Sequence, residues 1–130
     1  MQDTNHSDNP KARVLLVDDE DFVRDAGSAM MRMLGYEADA VSSGQEAVER
    51  VRAGDAPYDI IVIDLSMPDM SGEECFRILR REAEGAKLLI TSGYVVESRV
   101  ALLRKEGLDG VLQKPFTLDS IRTTFEQVLE

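Results

Sequence analysis

From Arg13 onward the chain alternates between short apolar runs and longer segments of helical spacing. The runs at 14–17, 38–41, 60–63, 88–91 and 111–112 are rich in β-branched residues. Runs this short and this continuous predict strands buried on both faces. Between them apolar residues recur at three- and four-residue spacing. Phe22, Ala26, Met30, Met33 and Leu34 form one stripe, and Ala47, Val48 and Val51 a second. Phe76, Ile78 and Leu79 belong to a third, Val100 and Leu103 to a fourth, and Ile121, Phe125, Val128 and Leu129 to a fifth. Each stripe predicts a helix packed on a sheet, with methionines as gap fillers rather than metal ligands.

The polar residues between these segments agree. Ser43 with Glu46, and Ser71 with Glu74, have the spacing of capping boxes that open the second and third helices. Thr117 is placed to cap the fifth, and Asp21 or Asp19 the first, with Asp21 the better candidate. Gly35, Gly54, Gly85 and Gly107 follow helical stretches, where a left-handed residue stops a helix. Strands alternating with helices imply an α/β domain of five parallel strands joined by right-handed crossovers, with helices on both faces. Residues 1–11 are polar and aperiodic and read as a disordered tail or linker, so the domain is expected over 12–130. His6 falls in that tail and reads as a solvated residue.

Composition narrows the function. At 130 residues, one domain is expected, and it buries roughly two-thirds of its unfolded surface. The formal net charge of −10 argues against direct nucleic-acid binding. No apolar run is long enough to span a bilayer and no signal segment opens the chain, so a cytoplasmic protein without membrane contact is expected. Cys75 is the single cysteine and forms no internal disulfide.

In an open parallel sheet, ligands bind at the carboxyl ends of the strands. Those ends carry Asp18-Asp19-Glu20-Asp21, then Asp64, then Thr91-Ser92-Gly93, then Lys114-Pro115-Phe116. Taken singly, each is an ordinary cap, turn or surface residue. Together they bring carboxylates, a hydroxyl and an amine to one rim. Asp18, Asp19 and Asp64 are like charges that need protonation or a cation to coexist, and an all-oxygen set with open positions suits Mg²⁺. Asp64 ends a central strand and can act as a nucleophile toward a phosphoryl group. The Lys114 ammonium and Ser92 hydroxyl can stabilise the charge on the transferring group.

These segments resemble the receiver domains of bacterial response regulators. The resemblance rests on Val14-Leu15-Leu16-Val17-Asp18-Asp19-Glu20, Asp64-Leu65-Ser66-Met67-Pro68-Asp69-Met70-Ser71-Gly72, Thr91-Ser92-Gly93-Tyr94 and Lys114-Pro115-Phe116. It implies a flavodoxin-like, doubly wound sheet of order 2-1-3-4-5 with five helices. It implies that Asp64 takes a phosphoryl group from a sensor histidine kinase or phosphotransfer protein. Mg²⁺ would be bound by Asp19, Asp64 and the Ser66 carbonyl, with Asp18 acting through water. Ser92 would hydrogen-bond the phosphoryl group and Lys114 pair with it. The Lys114-Pro115 bond is often cis in the family.

Two positions depart from the family pattern. Val111 stands where members often carry Tyr or Phe, a ring that turns inward on activation. Ser92 stands where many have Thr, which keeps the hydroxyl. Ser66 and Tyr94 lie where the family tunes dephosphorylation. The Thr91–Tyr94 and Leu112–Phe116 segments look like receivers attached to hybrid sensor kinases. No output domain follows Glu130, so output is expected through a downstream partner or another part of a longer protein, from the face formed by the fourth helix, fifth strand and fifth helix.

Two rival readings use the same residues. A metal-dependent phosphohydrolase would also form an aspartyl phosphate. Such enzymes typically place an acid/base Asp two residues after the nucleophile, where this chain has Ser66, and use a cap domain that is lacking here. A flavin-binding module would need a phosphate-cradling loop after the first strand, where Asp18 to Asp21 are repulsive.

Overall fold

The computed structural model describes residues 10–54, 57–67, 70–94 and 97–130. Most of the expected tail, including His6, and Pro68 and Asp69 of the Asp64 segment lie outside the described residues. The order is β1 (Arg13–Val17), α1 (Asp21–Met33), β2 (Glu37–Val41), α2 (Gly44–Ala53), β3 (Ile60–Asp64), α3 (Gly72–Glu82), β4 (Lys87–Ser92), α4 (Glu97–Lys105), β5 (Gly110–Gln113) and α5 (Leu118–Leu129). The strands form one parallel sheet of order β2-β1-β3-β4-β5, as the resemblance implied.

Side chains alternate along each strand, so the sheet feeds two cores. Leu15, Val17, Ile61, Ile63, Leu88 and Ile90 pack with Val48, Phe76, Leu79 and Leu103 on the α2, α3 and α4 side. Val14, Leu16, Ile60, Val62, Leu89 and Leu112 pack with Met31, Ile121 and Phe125 on the α1 and α5 side. β3 is buried along its whole length, which explains its lack of polar alternation. No helix among the described residues is long and apolar enough to cross a membrane.

Several local expectations need correction. The α1 stripe does not face the core as a unit. Phe22 and Met33 are exposed, and the buried face is Gly27, Ser28 and Met31. The reason is Gly27, where a Cβ would lie 2.9 Å from Leu16 Cδ2 and 3.0 Å from Phe116 Cε2. The helix presses against β1 and Phe116 through its smallest residue. The N-cap of α1 is Glu20, without a side-chain cap bond, and Asp21 instead pairs with Arg24. Ser43 accepts the Glu46 N–H at 3.1 Å, but the Glu46 carboxylate turns to Ser42, leaving half a capping box. Ser71 accepts the Glu74 N–H, and a full reciprocal box forms at Thr117 and Ser120. Of the four glycines expected to stop helices, Gly35 and Gly107 are left-handed, at φ 97° and 107°. Gly54 is extended at φ −71°, and α3 already ends at Ala83, before Gly85.

Candidate functional site at the carboxyl rim of the sheet

The site follows from strand alternation carried one step past the core. Leu16 leads to Asp18, Val62 to Asp64 and Leu112 to Lys114, on the α1 and α5 side. Lys114 Nζ lies 2.8 Å from Asp18 Oδ2, 3.4 Å from Asp64 Oδ2 and 3.5 Å from Glu20 Oε1. Asp18 and Asp64 are buried. Each keeps one oxygen on a backbone amide: Glu20 N–H donates to Asp18 Oδ1 at 2.9 Å, and Ser66 N–H to Asp64 Oδ1 at 3.0 Å. Asp18 Oδ2 receives no well-directed hydrogen bond, and the ammonium contact is its compensation. Arg24 Nη1 fixes the loop by donating to the Asp18 carbonyl at 2.8 Å.

Gly72 permits the Asp64 side of this geometry. A Cβ there would lie 2.4 Å from Leu65 Cα and 2.5 Å from the Asp64 carbonyl oxygen, both backbone atoms. The start of α3 can therefore pack directly on the end of β3. The Lys114-Pro115 peptide bond is cis.

Burial pushes the Asp64 carboxyl above its ordinary value, and the Asp18 charge adds to this. The Ser66 N–H and Lys114 oppose both without cancelling them. Burial opposes the Lys114 charge, yet the close Asp18 contact and the neighbouring carboxylates of Asp64 and Glu20 outweigh it and raise the lysine pKa.

Asp19 is exposed, but one carboxylate oxygen from each of Asp18, Asp19 and Asp64 can be chosen so that all lie within 4.8 Å of one another. This acidic cluster could bind a metal. Its donors are all oxygen, one ligand faces solvent, and one buried oxygen lacks a directed hydrogen bond. That fits a hard cation that keeps part of its water shell.

Ser92 ends β4 beside this cluster, but its hydroxyl is engaged elsewhere. It donates to the Tyr94 carbonyl at 2.9 Å and accepts the Tyr94 N–H at 3.2 Å. Val111 is half-buried in β5 and packs toward the α3 and α4 core. Sequence reasoning placed Glu20 and Thr91 on the rim without giving them a role, and missed a groove beside them. Glu20 shares Lys114. Thr91 pairs in register with Asp64 and buries a hydroxyl without a hydrogen-bond partner among the described residues. Phe22, Val23, Ala26 and Met30 form, with Pro115 and Phe116, an apolar groove of about 590 Å³ that reaches Lys114 and Gly93. The signal for the groove was present, since α1 carries more apolar positions than one core face can take.

The family model described as response regulator receiver domain matches residues 14–126. The chain belongs to this family. It is 37% identical over 119 residues to the sensor kinase CckA of Brucella abortus, covering 92% of this chain and 13% of that protein. It is 30% identical to the transcriptional regulatory protein QseB of Escherichia coli O157:H7, covering 90% of this chain and 52% of that one. The chain thus spans about half of the length of one of these relatives and far less of the other. Among solved structures, the chemotaxis response regulator CheY4 of Vibrio cholerae superposes with a TM-score of 0.81 at 28% identity, covering 90% of this chain and 98% of that one. The response regulator TrrA of Thermotoga maritima, solved in complex with Mg²⁺ and BeF, gives 0.78 at 27% identity, covering 90% and 98%. The chain is a receiver domain of two-component signalling, a signalling switch. The phosphohydrolase reading is not favoured.

Proposed function

We propose that Asp64 accepts a phosphoryl group from a phosphohistidine of a sensor histidine kinase or phosphotransfer protein. The observation that carries this reading is the buried Asp64 carboxylate sharing the Lys114 ammonium with Asp18, with Asp19 close enough to share a cation. A carboxylate oxygen of Asp64 bonds to phosphorus as the phosphorus–nitrogen bond breaks. The departing imidazole nitrogen keeps the electron pair and takes up a proton. Water later attacks the aspartyl phosphate and releases inorganic phosphate, restoring Asp64.

Lys114 supplies charge to the phosphoryl oxygens from a position it already occupies beside Asp64. The Ser92 hydroxyl donates to another phosphoryl oxygen once it leaves Tyr94. Asp19, Asp64 and the Ser66 carbonyl would hold Mg²⁺, with Asp18 acting through water, and the ion would neutralise charge on the transferring group. The TrrA complex with Mg²⁺ and BeF supports this assignment. The apolar groove along α1 opens directly beside Lys114, on the side from which a phosphodonor would reach Asp64. Output passes through α4, β5 and α5 to a downstream protein, with no contact to nucleic acid or membrane by this domain, in the cytoplasm.

Incubation with acetyl phosphate and Mg²⁺, followed by intact mass measurement, tests the acceptor. The expected result is a phosphoryl-sized mass gain in the unmutated protein that is absent with EDTA and absent in Asp64→Asn. A gain that persists in Asp64→Asn, or no gain at all, would sink the assignment.

A further inference from the structure

The site and Val111 pose a problem together. A charge change at Asp64 must alter the surface, yet the β5 position where the family often carries a ring holds a half-buried valine. The structure contains another aromatic tied to the same hydroxyl. Ser92 Oγ holds both backbone polar groups of Tyr94, donating to its carbonyl and accepting from its amide. Tyr94 is 81% exposed, so little packing holds it in place. Ser92 is itself fixed, because its carbonyl accepts the Lys114 N–H at 3.0 Å and it lies at the end of the β4 ladder.

We propose that Tyr94 is the reporter of phosphorylation in this chain, latched by the Ser92 hydroxyl and released when that hydroxyl turns to the phosphoryl group. This rests on Asp64 being the acceptor. A serine hydroxyl has a single proton to donate. It cannot serve the Tyr94 carbonyl and a phosphoryl oxygen at once, and a charged oxygen is the stronger acceptor. Rotation of the hydroxyl also removes the acceptor of the Tyr94 N–H. Both latch bonds are lost in one step, the 92–94 turn is freed, and the exposed ring moves with its backbone. The surface a partner meets then changes at Tyr94, without a ring at position 111.

The chain has three tyrosines and no tryptophan, so labelling with [¹⁵N]tyrosine gives three amide signals. Tyr36 and Tyr58 are buried and serve as internal controls. With acetyl phosphate and Mg²⁺, the Tyr94 amide is expected to shift and its solvent exchange to rise on the order of tenfold, while Tyr36 and Tyr58 stay in place. Ser92→Ala, without any phosphodonor, is expected to show the fast Tyr94 exchange already, and Ser92→Thr to restore the slow one. A protein that intact mass shows to be modified, but whose Tyr94 amide keeps its position and rate, overturns the proposal. Wild-type exchange in Ser92→Ala overturns it equally. No mass gain in the unmutated protein overturns the acceptor assignment and takes the proposal with it, so the two failures are told apart.

Discussion

The two rims of the sheet carry charge in opposite ways. At the amino rim, charged groups are matched to partners. Arg80 alone reaches the carbonyls of Gly107, Ala83, Glu84 and Ala86 and the carboxylate of Asp109. Asp109 also accepts the Leu88 N–H at 2.9 Å, Asp59 the Arg13 N–H at 2.8 Å, and Asp39 the Tyr58 hydroxyl at 2.7 Å. At the carboxyl rim, two buried carboxylates share one lysine, and Asp18 Oδ2 and Thr91 Oγ1 lack a directed partner among the described residues. A rim that only had to hold the fold together would resemble the first. The second keeps charges crowded and buried polar atoms without directed partners, which is how a site looks before its ligand supplies the missing partners.

The sharpest break of this comparison is at the satisfied rim. Arg80→Met keeps the aliphatic stem beside Gly107 but removes every donor. It leaves carbonyls at the end of α3 and in the α4–β5 connection without their partner. The expected loss is about 3 kcal/mol of stability, read by urea unfolding with an unchanged slope. Phosphorylation by acetyl phosphate should keep its wild-type rate below the transition. A rate loss matching that of a site variant would mean the two rims are not separable.

Gly72→Ala comes next and joins the two kinds of effect. Its Cβ would meet backbone rather than a flexible side chain, so the β3–α3 connection must shift. About 2 kcal/mol of stability is expected to go. Because that connection carries the Ser66 amide that fixes Asp64, Mg²⁺ affinity should fall as well, by roughly tenfold. Thermal shift with and without Mg²⁺ separates the two losses. A variant that loses stability but keeps its Mg²⁺ response would show that Gly72 serves packing alone.

What could be read from the sequence divides along the same line. The strands were legible because β3 and its neighbours are buried on both faces and admit only apolar residues. Asp18 and Asp64 were legible because each is the first polar residue after such a run, and Lys114 because it follows the fifth run by two positions, just before Pro115. Alternation then places all three on one face. The Ser92 latch was not legible, since a hydroxyl facing its own loop and one facing Asp64 read identically in sequence. The open side of α1 was hidden for another reason. Phe22 and Met33 fit the helical period as well as the buried Met31 does, and only the close approach of Gly27 to Leu16 and Phe116 decides which side faces inward. Gly54 and Gly85 misled because a glycine after a helix permits a left-handed turn without requiring one.

The smallest effect has the opposite sign and tests the carboxyl rim directly. Asp64→Asn removes a buried charge beside Asp18 while Lys114 keeps Asp18 at 2.8 Å, so no ion is left unpaired. In metal-free buffer the variant should therefore be more stable than the unmutated protein, by about 1 kcal/mol. The sign with pH follows from the raised carboxyl. Between its ordinary value of 3.8 and its higher folded value, the folded protein binds the proton more tightly than the unfolded chain does. The cost of the Asp64 charge is thus fully present above the folded value. It fades as pH falls through that window and is gone below 3.8. The advantage of Asp64→Asn should shrink over the same range, whatever the other carboxylates do in both proteins. Added Mg²⁺ should reverse the order at neutral pH, because the ion stabilises only the protein that keeps its third carboxylate. If Asp64→Asn proved less stable than the unmutated protein in metal-free buffer, Asp64 would belong with the satisfied charges of the opposite rim, and the contrast between the two rims would fail.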